Sequence, residues 1–144
     1  MLETTLTFRV HQSMIDRLDH FEHLFCFKSR SDMLRMAVIE AVYYTMLGKL
    51  KLRGRLAGKT KVIGCRLPEN IHRLIIGMNS KQRDNTISVW AALAIYDWIE
   101  AIEKQDKRNM KSNVYPYLCQ DFAYNYRPHI NRLLLELDQL EQAK

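Results

Sequence analysis

The sequence predicts a mainly helical fold in which two strand-helix-helix units share one two-stranded antiparallel ribbon, followed by a C-terminal helical extension. Three observations lead there. Two short stretches, "TLTFRV" (Thr5 to Val10) and "KVIGCRL" (Lys61 to Leu67), alternate side-chain character and then run straight into helical periodicity. The two stretches and the residues after them match at one constant offset of 57 residues, with Arg9 on Arg66, Met14 on Ile71, Leu18 on Ile75, Ser29 on Thr86, Ser31 on Ser88 and Ala37 on Ala94. Finally, the second helix of each unit is apolar nearly all round, which demands a buried, shared position.

In the first unit, residues 1–47, Met14, Ile15, Leu18, Phe21 and Phe25 form one apolar stripe, with Asp16, Arg17, Asp19, His20 and His23 on the other side. That is an amphipathic helix. The stretch "FKSRSD" interrupts it, and Ser29, Ser31 or Asp32 can cap the next helix by accepting a hydrogen bond from a free N–H. From Met33 to Leu47 the apolar run is broken chiefly by Arg35 and Glu40, so this helix is expected at the centre.

The second unit, 61–104, repeats the logic. Pro68 and Glu69 open its first helix, Ile71, Leu74, Ile75 and Met78 form the stripe, and "RDNTIS" is the break. A second apolar helix runs from about Ser88 to Glu103. A lone strand leaves its backbone N–H and C=O groups unpaired, and neither unit closes a core by itself. Antiparallel pairing of the two strands within one chain meets both demands. The linker, 48–60, permits this, since thirteen extended residues reach roughly 40 Å. From Lys49 to Lys61 there are six basic residues, Lys49, Lys51, Arg53, Arg55, Lys59 and Lys61, and no acidic one. A solvated loop and a phosphate-contacting arm are both consistent with such a run.

The order of strand, amphipathic helix, serine-containing turn and buried helix, carried by "LTFRV" with "SRSDMLRMAV" and by "IGCRLPENI" with "TISVWAALAI", resembles the ribbon-helix-helix family of DNA-binding proteins, the Arc, MetJ and CopG type. The likeness covers about residues 4 to 104, with two units in tandem forming a pseudo-dimer. The resemblance implies a ribbon that enters the major groove of double-stranded DNA, with the second helices starting against its backbone. It makes Thr5, Thr7, Arg9, Val62, Gly64 and Arg66 the outward, base-reading positions. Leu6, Phe8, Val10, Ile63, Cys65 and Leu67 then face the core, because strand side chains alternate faces. Arginine offers a fork to guanine, and threonine bonds donors or acceptors. Val62 offers only apolar contact and Gly64 no side chain, so the two strands present unequal faces. Gly64 is also what a bulge or a close backbone approach requires. Phosphate contacts would fall to Ser29, Arg30, Ser31, Thr86 and Ser88 at the helix starts, where free N–H groups and the helix dipole favour an anion, and to the basic linker residues.

Composition agrees with this reading. The chain has 144 residues, 47% hydrophobic, with a formal charge of +6 and a pI near 9.3; this permits a polyanionic partner. Cys26, Cys65 and Cys119 are widely spaced, which points to core hydrophobes in a reducing compartment rather than to disulfides or zinc. No apolar run approaches membrane-spanning length, and the opening residues do not suggest a secretory signal. A cytoplasmic, nucleoid-associated protein without membrane, cofactor or metal is expected. Asp16, His20 and His23 share a helical face and are taken as solvated rather than as ligands.

The last third, 105–144, is first polar, then aromatic, then helical. Tyr115, Tyr117, Tyr124 and Tyr126 stand without the arginine, histidine or metal-ligand constellation that a tyrosine nucleophile needs, so no enzyme is expected. In "RPHINRLLLELDQLEQ" Pro128 suits a first turn, and Ile130, Leu133, Leu134, Leu137 and Leu140 form one stripe. The stripe fits core packing, or self-association or protein capture through Leu133, Leu134, Leu137 and Leu140. The leading expectation is a repressor acting by occupancy. The alternatives are an accessory protein of plasmid transfer, partition or replication, and an antitoxin-like module working through 105–144.

Overall fold

The computed structural model describes residues 2–24, 27–50, 52, 61–82, 86–103 and 126–142. Among them the order is β1 (Glu3–Val10), α1 (Gln12–Leu24), α2 (Arg30–Met46), β2 (Lys61–Pro68), α3 (Glu69–Gln82), α4 (Ile87–Glu103) and α5 (Tyr126–Gln142). The protein is mainly helical, with one two-stranded antiparallel sheet.

The two strands pair along their whole length, from Glu3 opposite Pro68 to Val10 opposite Lys61, without a bulge. Both extend beyond the expected limits, β1 by two residues at its start and β2 by Pro68. Proline is tolerated there because a terminal position needs no ladder N–H. One further backbone bond, from the Glu69 N–H to the Leu2 carbonyl at 3.1 Å, ties this end of the sheet to the start of α3.

The inward row Leu6, Phe8, Val10, Ile63, Cys65 and Leu67 is buried. Burying a side chain such as Phe8 or Leu67 is worth about 1.5–3 kcal/mol, and the helices beneath supply the cover. The helices cross over: α2, from the first half of the chain, packs on β2, and α4, from the second half, packs on β1, while α2 and α4 also pack on each other. Consistent with a central position, α2 is buried continuously from Met36 to Val42 and α4 from Trp90 to Ile95, with Trp98 and Ile99 also inside. α1 and α3 turn only a stripe inward, Met14, Leu18 and Phe21 in one and Ile71 and Ile75 in the other.

The starts of the central helices are set by local chemistry. Ser29 holds an extended backbone and its Oγ accepts the Asp32 N–H at 3.1 Å. Thr86, its counterpart at the offset of 57, accepts the Val89 N–H on Oγ1 at 3.3 Å. Of the three candidate caps for α2 it is therefore Ser29 that serves, and the helix begins at Arg30 rather than Met33. α2 stops where Gly48 takes φ +73°, the left-handed conformation that glycine accepts without a Cβ clash, and its N–H bonds the Thr45 carbonyl at 3.0 Å.

α5 docks on α2. Ile130, Leu133 and Leu137 are buried, and two polar contacts fix the helix. The Tyr43 hydroxyl bonds Glu136, and the His129 Nε2 lies 2.9 Å from Oε1 of Glu40. Glu40 is only 1% exposed and is the one buried charged residue among those described. Its other oxygen accepts the Trp98 Nε1–H at 2.9 Å. A buried carboxylate without such partners would cost several kcal/mol. Leu52, within the basic linker, is also buried and belongs to the core.

Candidate functional site

The outward face of the sheet is where chemistry-bearing side chains converge on exposed backbone. Thr5, Thr7, Arg9, Val62 and Arg66 are exposed, and Gly64 is half-buried. The register sets them opposite one another as Thr5 with Arg66, Thr7 with Gly64 and Arg9 with Val62. The Thr7 carbonyl accepts from Ser88 Oγ at 3.1 Å and the Arg66 carbonyl from Arg35 NH1 at 3.2 Å, both outside the ladder. These outward pairs are therefore of the non-hydrogen-bonded kind, in which facing Cα atoms lie closest.

Close approach explains Gly64. A Cβ built there would sit 2.7 Å from the Leu6 carbonyl oxygen and 3.1 Å from Thr7 Cγ2, nearer than real Cβ atoms come to backbone. With the register unbroken, it is the close approach and not a bulge that accounts for this glycine. The face consequently carries only the Thr7 side chain at its centre and an arginine toward each end.

The two ends differ. Arg66 is 70% exposed, and its Nε lies 3.7 Å from Oε2 of Glu3. The other oxygen of Glu3 accepts from Arg35 NH1 at 2.7 Å. That bond, more than the Coulombic attraction of Arg35 and Arg66, holds the Glu3 carboxyl below the usual carboxylate range. Arg9 makes no ion pair among the described residues; it borders a shallow groove lined by Thr7, Phe8, Val62, Ser88, Val89 and Ala92. Sequence reasoning misses Glu3 as a site residue. It is legible in principle, because it shares the odd-numbered parity of Thr5, Thr7 and Arg9.

The expected phosphate-contacting residues divide into several groups. Ser29 and Thr86 use their hydroxyls as caps. Ser31 is exposed. Ser88 spends its hydroxyl proton on the Thr7 carbonyl and so pins the start of α4 to the middle of β1. Arg30 is engaged within the chain: its guanidinium bonds Asp19, and its Nε lies 4.0 Å from Glu22. Arg30, expected to contact phosphate, thus bridges α1 and α2. Lys49 and Lys61 are exposed, whereas Lys51, Arg53, Arg55 and Lys59 lie outside the described residues. So do Cys26, Cys119, Tyr115, Tyr117 and Tyr124.

The leucine stripe of α5 needs a correction too. Leu133 and Leu137 are 1% and 0% exposed, and Leu134 packs against the same core. The first two are consumed by this chain and offer a partner nothing; Leu140 is half-buried. The exposed leucine of this helix is Leu135, at 59%.

Burial pushes the Cys65 thiol up to about 12, so it is an inert apolar group and not a nucleophile. Among the described residues no three or more histidine, cysteine, aspartate or glutamate side chains gather as a metal site, and no helix is long and apolar enough to cross a membrane. Compared with known proteins, the chain matches no family model, no curated protein and no solved structure.

Proposed function

We propose that this chain is a sequence-specific double-stranded DNA-binding protein, built as a tandem ribbon-helix-helix pseudo-dimer whose ribbon enters the major groove, and that it acts by occupancy as a transcriptional repressor on the nucleoid. The observation that carries the proposal is the exposed ribbon face itself. A two-stranded antiparallel ribbon fits the ~12 Å major groove. Here such a ribbon turns Thr5, Thr7, Arg9 and Arg66 outward while every alternate residue of its central span is buried. Side chains of these types hydrogen-bond base edges, and among the described residues no element covers this face.

The register supports the pseudo-dimer. The pair Thr7 and Gly64 is itself related by the offset of 57, so a local two-fold axis would pass between them. That axis would exchange Arg9 with Arg66 and Thr5 with Val62. The caps Ser29 and Thr86 are related in the same way, and each central helix packs beneath the strand of the other half, as intertwined units require. The starts of α2 and α4 then flank the ribbon, their N–H groups available to phosphates on either side.

Selection of bound sequences from a pool of random duplexes tests the proposal, followed by Arg9→Ala on the selected site. The expected result is an enriched sequence and a loss of about 1–3 kcal/mol on that site, with non-specific affinity spared. Recovery of no sequence above the starting pool refutes the function; equal loss on all duplexes refutes base reading by Arg9.

A further inference from the structure

The two arginines of the ribbon are equivalent by the offset of 57, yet their surroundings are not. Among the described residues Arg66 has an acid beside it and Arg9 has none. Glu3 opens β1 on the outward face and reaches Arg66 Nε at 3.7 Å while bonding Arg35 NH1 at 2.7 Å. Arg35 in turn bonds the Arg66 carbonyl at 3.2 Å. Strand, carboxylate and α2 thus form a closed circuit around Arg66. At the other end the position equivalent to Arg35 is Ala92, which has no donor, and the position equivalent to Glu3 is Thr60 in the sequence.

A guanidinium has five N–H donors in a fixed planar fork. An acid on the Nε side leaves the two terminal nitrogens of Arg66 to point onward into solvent, where they match the O6 and N7 acceptors of guanine. The carboxylate also discourages a swing toward phosphate, which it repels, and side-chain ordering completed before binding is not charged to the complex. Arg9, without such a brace, can reach either a base or the backbone.

We propose that Glu3, held by Arg35, is a specificity-determining residue that positions Arg66 for guanine, so that the end of the site under Arg66 is read more strictly than the end under Arg9. The inference rests on the DNA-binding reading above. It makes the preferred site asymmetric in stringency even where the bases at its two ends are alike. Glu3 does this as a positioning residue, since its carboxylate acts through the guanidinium.

The test compares sequence selections by the unaltered chain, Glu3→Gln, Glu3→Asp, Arg66→Ala and Arg9→Ala, each first shown to retain its thermal unfolding transition. The two arginine variants assign each end of the selected site to its arginine. Glu3→Gln is then expected to lose about tenfold in base discrimination at the Arg66 end alone. It is also expected to bind non-cognate duplex more tightly, with a salt dependence steeper by about one phosphate contact. Glu3→Asp restores part of the discrimination because it keeps the charge. If the unaltered chain selects a sequence but Glu3→Gln leaves both ends unchanged, or relaxes both equally, the positioning role is overturned and the DNA-binding reading stands. If the unaltered chain selects nothing, the DNA-binding reading falls and this inference with it.

Discussion

Removing the His129 imidazole tests the polar contact of the one buried charged residue among those described. Glu40 is 1% exposed, and one of its two oxygens depends on the His129 Nε2 at 2.9 Å. Arg132 NH2 lies 3.3 Å from the His129 Nδ1 and donates to it, which leaves the ring proton on Nε2 to face Glu40. In His129→Ala one carboxylate oxygen keeps the Trp98 donor and the other loses its partner. Stripping a buried charge of a partner costs about 3–5 kcal/mol; the surviving Trp98 bond places this case near the lower end, ~3 kcal/mol, or about 10 °C in Tm for a chain of this size. The loss depends on pH. Desolvation raises the Glu40 carboxyl above its ordinary 4.5, against the lowering by His129 and Trp98, so the folded state holds this proton more tightly than the unfolded state. The stability from that proton is complete below about pH 4.5 and is lost as pH rises through the folded value. Without His129 the raised value climbs further, so the variant falls further behind the parent at pH 7 than at pH 5. Tyr44, beside Glu40 and itself pushed up to about 12, stays neutral throughout this window. Urea unfolding followed by Trp90 and Trp98 fluorescence at both pH values measures the effect, with Glu40→Gln as the non-titrating control. A loss below ~1 kcal/mol, equal at pH 5 and pH 7, would refute the reasoning.

Three further outcomes are expected. Gly64→Ala must force the Leu6 carbonyl and Thr7 away from a new Cβ, at about 1–3 kcal/mol in chemical denaturation; unchanged stability would mean that the strands separate freely at the centre of the ribbon. In a chain carrying Cys26→Ser and Cys119→Ser, the Cys65 thiol, buried and raised to about 12, should react with a thiol reagent at pH 8 only as fast as the protein opens, and prompt native-state labelling would contradict its placement. Replacing Lys49, Lys51, Arg53, Arg55, Lys59 and Lys61 with glutamine should weaken binding on all duplexes and flatten the plot of log affinity against log salt by about 0.9 for each phosphate no longer neutralised; an unchanged slope would make the segment a plain connector.

Local rules carry far in this chain. Alternation in "TLTFRV" and "KVIGCRL" separates a buried row from an outward row, and the hydroxyl residues at the breaks mark the two caps, because strand faces and helix starts depend on neighbours within a few positions. The local pattern does not supply the bonds made across the fold. Glu3 looks like a frayed terminal charge until Arg35 and Arg66 arrive from α2 and β2. Glu40 reads as an interruption in an apolar helix, and only packing reveals Trp98 and His129, 58 and 89 positions along the chain, as its partners. Arg30 looks free to meet a ligand because Asp19 and Glu22, eleven and eight residues earlier, lie across a helix break whose angle no periodicity specifies. The leucine stripe of α5 is legible as a stripe but not as a choice between its own core and a partner's, since both present the same apolar demand.

Under the proposed two-fold arrangement, the departures from equivalence seen among the described residues lie at the Arg66 end of the ribbon. Leu2 and Pro68, which flank Glu3 and Arg66, line a groove with Asn131, Leu134 and Leu135 of α5. Arg35 and Met36 of α2 border another with Arg127, Ile130 and Asn131. α5 thus lies against the same end at which Glu3 and Arg35 engage Arg66, and through Glu40 and Tyr43 it is bonded to the helix that carries Arg35. Two separate identical chains cannot place an acid beside one ribbon arginine and withhold it from the other. A fused chain can, because each half mutates independently. Under the proposed arrangement, the single covalent chain removes the requirement that both ends of the ribbon be read alike, and the residues gathered around Arg66 are where that freedom has been used.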